Sequence, residues 1–247
     1  RKLRCLKRKV FYLNVPKSGK KKLMKKNKVF IACDTSFVKR ARDIINKTKT
    51  NKLKIGYKFG LEFVNSKNGR NFISNLQNKT IFLDLKLNDI PNTCRATINA
   101  IKDLKINYIT IHISAGLEAL RAVKKVSGNI KIAGVTTLTS LNDKSIKEIG
   151  YNKTLKSLVT HQALLARKAK LDALVCSAKE LNFIRKIFKN EIITPGIRFD
   201  TKKNDQKRVV TPVEAFDKGC DWIVIGRPIT KGNIKKNIQI LIDHLSK

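Results

Sequence analysis

The sequence predicts an α/β fold, a single (β/α)8 TIM barrel. Eight short, β-branched apolar runs recur along the chain. Longer segments with apolar residues at helical spacing alternate with them. The length, 247 residues, suits one closed parallel barrel. A doubly wound open sheet is the alternative, but it would advertise a G-x-G-x-x-G turn after an early strand. Neither that turn nor a Walker A loop occurs.

The first strand is Val29–Cys33, apolar throughout, as a parallel strand covered on both faces should be. Phe37–Thr48 follows with apolar residues three and four apart, a helix. Leu53–Gly56 is the second strand and Thr80–Leu85 the third, with the helical segment Thr93–Lys105 behind it. Tyr108–Ile113 is the fourth strand, followed by the helix Leu117–Val126. Lys131–Val135 and the helix Leu155–Ala169 make the fifth unit, Ala173–Cys176 and Ala178–Phe188 the sixth. Ile192–Thr194 and Thr211–Lys218 make the seventh, Trp222–Ile225 and Ile234–Leu245 the eighth. No linker rich in Pro, Gly or Ser divides residues 24–247, which read as one domain.

A barrel enzyme builds its site at the carboxyl ends of its strands, which turns the strand ends into candidates. Asp34 follows the first strand, and Lys54 and Lys58 bracket the end of the second. Asp84, Lys86 and Asp89 end the third, His112 and Ser114 the fourth. Thr136 to Ser140 follow the fifth and Ser177 the sixth. Pro195, Gly196 and Arg198 follow the seventh, Gly226 and Arg227 the eighth.

Two constellations stand out. Alternation of faces along a strand points Asp84 and Lys86 the same way, with Asp89 on the following loop. Two carboxylates flanking an ammonium keep it protonated, which makes Lys86 a natural proton donor; a structural salt-bridge cluster closing the barrel would show the same spacing. The second constellation suits an anion. Gly196-Ile197-Arg198 and Gly226-Arg227 each set an arginine beside a glycine that lets backbone approach a ligand. Arginine's forked donors match a phosphate, and barrels often bind phosphate with these two loops. Two surface arginines are the plainer alternative. The polar segment 199–208 reads as a lid or as a solvated loop. His112 is as well explained by an ordinary hydrogen-bonded strand end as by catalysis, and His161 and His244 look like helix residues without partners.

The charge is extreme: 54 Lys and Arg against 18 acids, a net +36. That balance fits a nucleic-acid binder. Lysine, however, far outnumbers arginine and asparagine is abundant, as AT-rich codons produce, and aromatics for stacking bases are only 6%. Nucleic acid is therefore not the expected partner, although the positive potential favours capture of anionic substrates. No apolar run approaches the roughly 18 residues a membrane helix needs. The five cysteines form neither a C-x-x-C pair nor a zinc-spaced cluster, which fits reduced thiols in a cytoplasm. Residues 1–23 carry ten positive charges and no acid, and the only methionine, Met24, leads straight into the first strand. The stretch reads as a basic extension, either disordered or translated from upstream of a start at Met24; it lacks the composition of a transit or secretory peptide.

Asp84-x-Lys86-x-x-Asp89-Ile90-Pro91-x-Thr93 resembles the signature of the orotidine 5′-phosphate decarboxylases in their bacterial form. The resemblance runs from about Val29 to the C-terminus. It takes in Ile31-Ala32-Cys33-Asp34, Lys54-Ile55-Gly56, Val135 to Ser140, Val175-Cys176-Ser177, Thr194 to Arg198, Asp205-Gln206 and Gly226-Arg227. It implies a cofactor-free, metal-free barrel that converts orotidine 5′-phosphate to UMP and CO2, the last step of de novo pyrimidine synthesis. It further implies that Lys86 protonates C6, with Asp84 and Asp89 orienting it. Asp34 and Lys54 would hold the ribose, Thr139 would meet the pyrimidine, and Gln206 would bridge base and phosphate. Arg198, Gly226 and Arg227 would bind the phosphate. Asp89 and Thr93 would reach into the neighbouring site of a homodimer. Asn88 departs from the histidine usual in bacterial relatives, at a position outside the chemistry. A Mg2+-dependent keto-sugar-phosphate decarboxylase of the same superfamily shares the D-x-K-x-x-D spacing and is the nearest rival; a basic nucleic-acid-binding protein is the rival from another class.

Overall fold

The structure, a computed structural model, describes residues 27–199 and 210–246. The expectations attached to residues 1–23, to Met24, to Gln206 and to nearly all of the 199–208 segment lie outside those residues. Eight parallel strands close into a barrel in chain order. They are β1 Lys28–Ala32, β2 Lys54–Gly60, β3 Thr80–Leu87, β4 Tyr108–His112, β5 Lys131–Val135, β6 Ala173–Val175, β7 Glu191–Thr194 and β8 Trp222–Ile225. Closure is direct: β1 pairs β8 from Lys28↔Trp222 to Ile31↔Ile225.

The helices that cover the barrel are α1 Val38–Lys47, α2 Leu61–Val64, α3 Gly69–Ser74, α4 Pro91–Ala100, α5 Gly116–Val126, α6 Asp143–Glu148, α7 Leu155–Lys168, α8 Leu181–Ile187, α9 Pro212–Asp217, α10 Arg227–Thr230 and α11 Ile234–Leu245. Four of them, α2, α3, α6 and α10, have no counterpart in the periodic pattern. At four to six residues each they are too short to show a 3.6-residue repeat. The long helix expected over Thr93–Lys105 ends at Ala100; a 3-10 turn, Lys102–Leu104, follows, and Lys105 leaves it in the left-handed region. The start of α9 is written locally. Thr211 accepts from the Glu214 N–H, the Glu214 side chain accepts from the Thr211 N–H, and Pro212 supplies the first helical φ.

Alternation along the strands sorts the core into two layers. Val29 and Ile31 of β1 join the shell between barrel and helices. Phe30 and Ala32 face the interior with Phe82, Tyr108, Ala133, Ala173, Ile193, Trp222 and Val224. The large interior residues collect at the amino end of the barrel. Phe30 stacks on Trp222 with centroids 4.0 Å apart and meets Phe82 and Tyr108 at 4.9 and 5.3 Å. Gly56 makes this plug possible, because a Cβ there would stand 2.6 Å from the Phe30 ring. Below it, Glu191 ties three groups together: the Tyr108 hydroxyl and Lys131 at 2.8 Å and Lys28 at 3.1 Å. These partners overcome the cost of burial and hold its carboxyl at about 2. Small residues sit towards the carboxyl ends, so the barrel is solid at the bottom and hollow at the top.

Candidate active site

The hollow is a cavity of about 310 Å³ at the carboxyl ends of the strands, lined by residues from β1, β2, β3 and from the loops after β5, β7 and β8. Its floor is Phe82, and Ala32, Val135, Val175 and Val224 form its apolar wall. On one side stand Asp34, Lys58, Asp84 and Lys86.

These four side chains form a linear ion network. Lys86 Nζ lies 2.8 Å from Asp84 Oδ2; Lys58 Nζ lies 3.4 Å from the same oxygen and 3.0 Å from Asp34 Oδ1. Positive and negative groups alternate, so each charge is set against its opposite. Burial pushes the Asp84 carboxyl up, but Lys58, Lys86 and the Thr110 hydroxyl outweigh it and hold it below the ordinary 3.8. Burial pulls Lys58 down, but Asp84 and Asp34 more than compensate, so its ammonium persists above the ordinary 10.5. His112 goes the other way. Burial, then the neighbouring Lys86, lowers its pKa against a weaker pull from Asp84, so a neutral imidazole stands beside the ion network.

Three expectations about this cluster need correction. Lys54 is not in the site. It opens β2 opposite Lys28 and lies over the Trp222 ring, 5.9 Å from the centroid, at the closed end of the barrel. The strand expected over Leu53–Gly56 continues through Tyr57, Lys58 and Phe59 to Gly60. Four more residues at about 3.3 Å each carry the carboxyl end roughly 13 Å further, to Gly60, and bring Lys58 to the barrel mouth. The lysine paired with Asp34 is therefore Lys58.

Asp89, expected to flank Lys86, makes no ion pair among the described residues. It is exposed beyond β3, where its carboxylate accepts the Ile90 N–H at 2.7 Å. The reason is local: Pro91 starts α4 and turns the chain away from the barrel mouth. Within one chain the second carboxylate of the cluster is Asp34, reached through Lys58.

Asp84 and Lys86 do share the cavity, but not by plain alternation. The β3–β4 pairing shifts register between Leu83 and Leu87, and Lys86 has φ +50. A bulge aims the lysine.

Of the remaining described candidates, Thr139, Gly196 and Gly226 line the cavity, whereas Arg198, Arg227 and Thr93 do not. Thr139 lines the cavity beside Thr137 and Leu138. The buried Gln162 of α7 fixes that loop, its side-chain oxygen accepting from the Thr137 N–H at 2.8 Å and hydroxyl at 3.0 Å. Across the cavity, Gly196 and Gly226 line the wall. Gly196 has φ +77, a conformation that favours glycine. A Cβ on Gly226 would project to 3.5 Å from Ala32 and 3.8 Å from Asp34. Arg198 and Arg227 stand exposed just beyond them, Arg227 as the first residue of α10. The Arg40 guanidinium bonds the Thr230 carbonyl at the other end of that helix. Thr93 is exposed on the first turn of α4. Among the described residues, no three His, Cys, Asp or Glu side chains are grouped to hold a metal ion. No described helix is long and apolar enough to cross a membrane.

Sequence reasoning missed the site roles of Thr110 and Gln162, and it listed Lys58 at the end of the second strand but gave the ribose contact to Lys54. Thr110 and Gln162 lie inside elements rather than at their ends, and only pairing between elements shows what they touch. Lys58 carried a signal, since the aromatic residues around it mark β2 as longer than its first apolar run.

The arrangement sets two glycines, each followed closely by an exposed arginine, on one side of the cavity and an ammonium beside a carboxylate on the other, over an apolar floor. Comparison with known proteins agrees. Residues 27–237 match the family described as "Orotidine 5′-phosphate decarboxylase / HUMPS family". The chain is 43% identical over 230 residues to the orotidine 5′-phosphate decarboxylase of Wolbachia pipientis, covering 89% of this chain and 99% of the relative. It is 39% identical to that of Coxiella burnetii, covering 83% and 90%. Among solved structures, the orotidine 5′-phosphate decarboxylase of Lactobacillus acidophilus superposes with a TM-score of 0.77 at 28% identity, covering 90% of this chain and all of that one.

Proposed function

The chain belongs to the orotidine 5′-phosphate decarboxylase / HUMPS family, and from that premise we propose that it decarboxylates orotidine 5′-phosphate to UMP and CO2 with Lys86 as the proton donor. The observation that carries this reading is the 2.8 Å Lys86–Asp84 pair in a cavity lined also by Gly196 and Gly226, with Arg198 and Arg227 exposed just after those glycines in the chain. Loss of CO2 leaves an electron pair on C6 of the pyrimidine, with no adjacent carbonyl to accept it. The Lys86 ammonium stabilises the developing charge electrostatically and then gives C6 its proton. Asp84 orients that lysine. Asp34 and Lys58, not Lys54, are the pair that meets the ribose hydroxyls, and Thr139 meets the base. Gly196, Arg198, Gly226 and Arg227 take the phosphate through backbone N–H groups and forked guanidinium donors. Binding energy at that remote end helps the reacting carbon by fixing the base over Lys86. Gln206 is the proposed bridge between base and phosphate.

The working unit is a homodimer in which Asp89 and Thr93 serve the partner's site. Three features support it. Asp89 is exposed and has no charged partner among the described residues. Ile90 beside it is 65% exposed and Leu61 is 54% exposed. A second cavity of about 200 Å³ opens beside Asp34, Lys58, Asp84 and Lys86, walled by Leu61 and Glu62, with room for a partner's loop. The four described cysteines are free and buried, which supports a reducing compartment, the cytoplasm.

The test is direct. EDTA-treated protein mixed with orotidine 5′-phosphate should lose the substrate's absorbance as UMP forms. An absolute need for added Mg2+, or turnover only of a keto-sugar phosphate, would transfer the site to another member of the superfamily.

A further inference from the structure

Leu83 pairs with Ile109, and the next aligned pair is Leu87 with Ile111. Asp84, Leu85 and Lys86 therefore lie opposite one β4 residue, Thr110. A bulge of this kind takes backbone groups off the ladder and re-aims side chains. Lys86 absorbs it at φ +50, a left-handed conformation uncommon for residues other than glycine. Thr110 is fully buried, and its Oγ1 lies 2.7 Å from the Lys86 nitrogen and 3.1 Å from Asp84 Oδ1. A backbone N–H can only donate and an ionised carboxylate can only accept, so the polarity is set: the hydroxyl accepts from Lys86 and donates to Asp84. One oxygen thus grips the backbone of one residue and the side chain of the other. It lies behind them and lines neither cavity.

We propose that Thr110 is the positioning residue of the Asp84–Lys86 pair, its hydroxyl holding the bulge that aims the lysine and orienting the carboxylate that faces it. The inference rests on the reading of Lys86 as proton donor. Valine has threonine's shape without the hydroxyl, and serine has the hydroxyl without the methyl, so the two substitutions separate the contributions.

In Thr110→Val the Lys86 N–H and one Asp84 oxygen lose their partner, and the lysine tip is no longer held over the reacting carbon. We expect kcat to fall about 100-fold, the loss a misplacement near 1 Å produces. KM should stay within about threefold, because the phosphate wall is untouched. The acid limb of the kcat/KM profile should move to higher pH, since Asp84 loses a donor that favours its charged form. Thr110→Ser should retain the parent kcat within a few-fold. Hydrogen exchange at the Lys86 amide, followed by NMR, should accelerate in the valine variant and stay slow in the serine variant. A valine variant with parental kcat and a protected Lys86 amide overturns the proposal. So does a serine variant as impaired as the valine one, which would assign the effect to the methyl group. If the valine variant does not fold, Thr110→Ala against Thr110→Ser carries the same comparison. A parent protein inactive on orotidine 5′-phosphate would refute the functional reading, while amide exchange would still decide whether Thr110 holds the bulge.

Discussion

The Lys86 ammonium stands 2.8 Å from the Asp84 carboxylate across a bulge in their shared strand, Asp84 the more buried of the two. The pair faces the cavity and does not close it. That orientation suits the proton-delivering pair proposed above better than a salt bridge closing the barrel, an alternative the spacing alone left open. Removing the ammonium should therefore abolish chemistry and spare the fold. Lys86→Ala is expected to lower kcat by about 10⁴-fold or more, combining lost charge stabilisation with lost proton delivery, while circular dichroism and UMP binding persist. Near-normal kcat would remove Lys86 from the mechanism.

Lys54 and Lys58 give a paired test of the barrel's polarity. Lys58→Ala breaks contacts to both Asp34 and Asp84 and should cost about 100-fold or more in kcat/KM, as loss of a charged positioning group does. Lys54→Ala removes a cation from the face of Trp222 at the opposite end and should leave kcat/KM unchanged. Steady-state kinetics of the two variants side by side decide it; the reverse pattern would put the ribose site back at Lys54.

The ion network should also shape stability against pH. Asp84 is held below its ordinary 3.8 in the folded protein, so its contribution is present above that value and lost as pH falls through the folded value. The gap in unfolding free energy between parent and Asp84→Asn should therefore close below about pH 3.8. Lys58 is held above its ordinary 10.5, so its contribution is present below that value and lost as pH rises through the folded one. The gap between parent and Lys58→Met should close above about pH 10.5. Denaturant titrations across pH measure both; parallel curves would mean that these charges make no differential contribution.

At the other wall, Arg227→Ala should weaken orotidine 5′-phosphate by about 10- to 100-fold in KM, the loss of a hydrogen bond to a charged group, and barely affect orotidine without its phosphate. Arg198→Ala should do the same. Equal effects on nucleotide and nucleoside would take the phosphate away from these residues.

A shared site makes a prediction about mixtures. Lys86→Ala and Asp89→Ala should each be inactive alone. Unfolded together and refolded, they should regain about a quarter of parental activity, because a two-fold dimer of one chain of each kind contains one intact site. No recovery, with dimers present by light scattering, would mean that Asp89 does not act across the interface.

The amino-acid sequence by itself determined the fold class. Eight β-branched runs spaced by helical segments leave little choice but a closed parallel sheet, because each run must bury two apolar faces. It also determined the chemical inventory at the strand ends: Asp34, Asp84, Lys86, and the glycine–arginine pairs at 196–198 and 226–227. Those residues were legible because they interrupt apolar runs at positions the barrel turns into a rim. The tertiary structure alone decided which lysine of β2 enters the site, since a strand's end is set by the neighbours it pairs with and not by its first apolar residues. It alone turned Asp89 out of its own chain's cluster. It alone revealed the bulge at Lys86 and the threonine behind it, because a register shift is a relation between two strands and leaves no mark in either one.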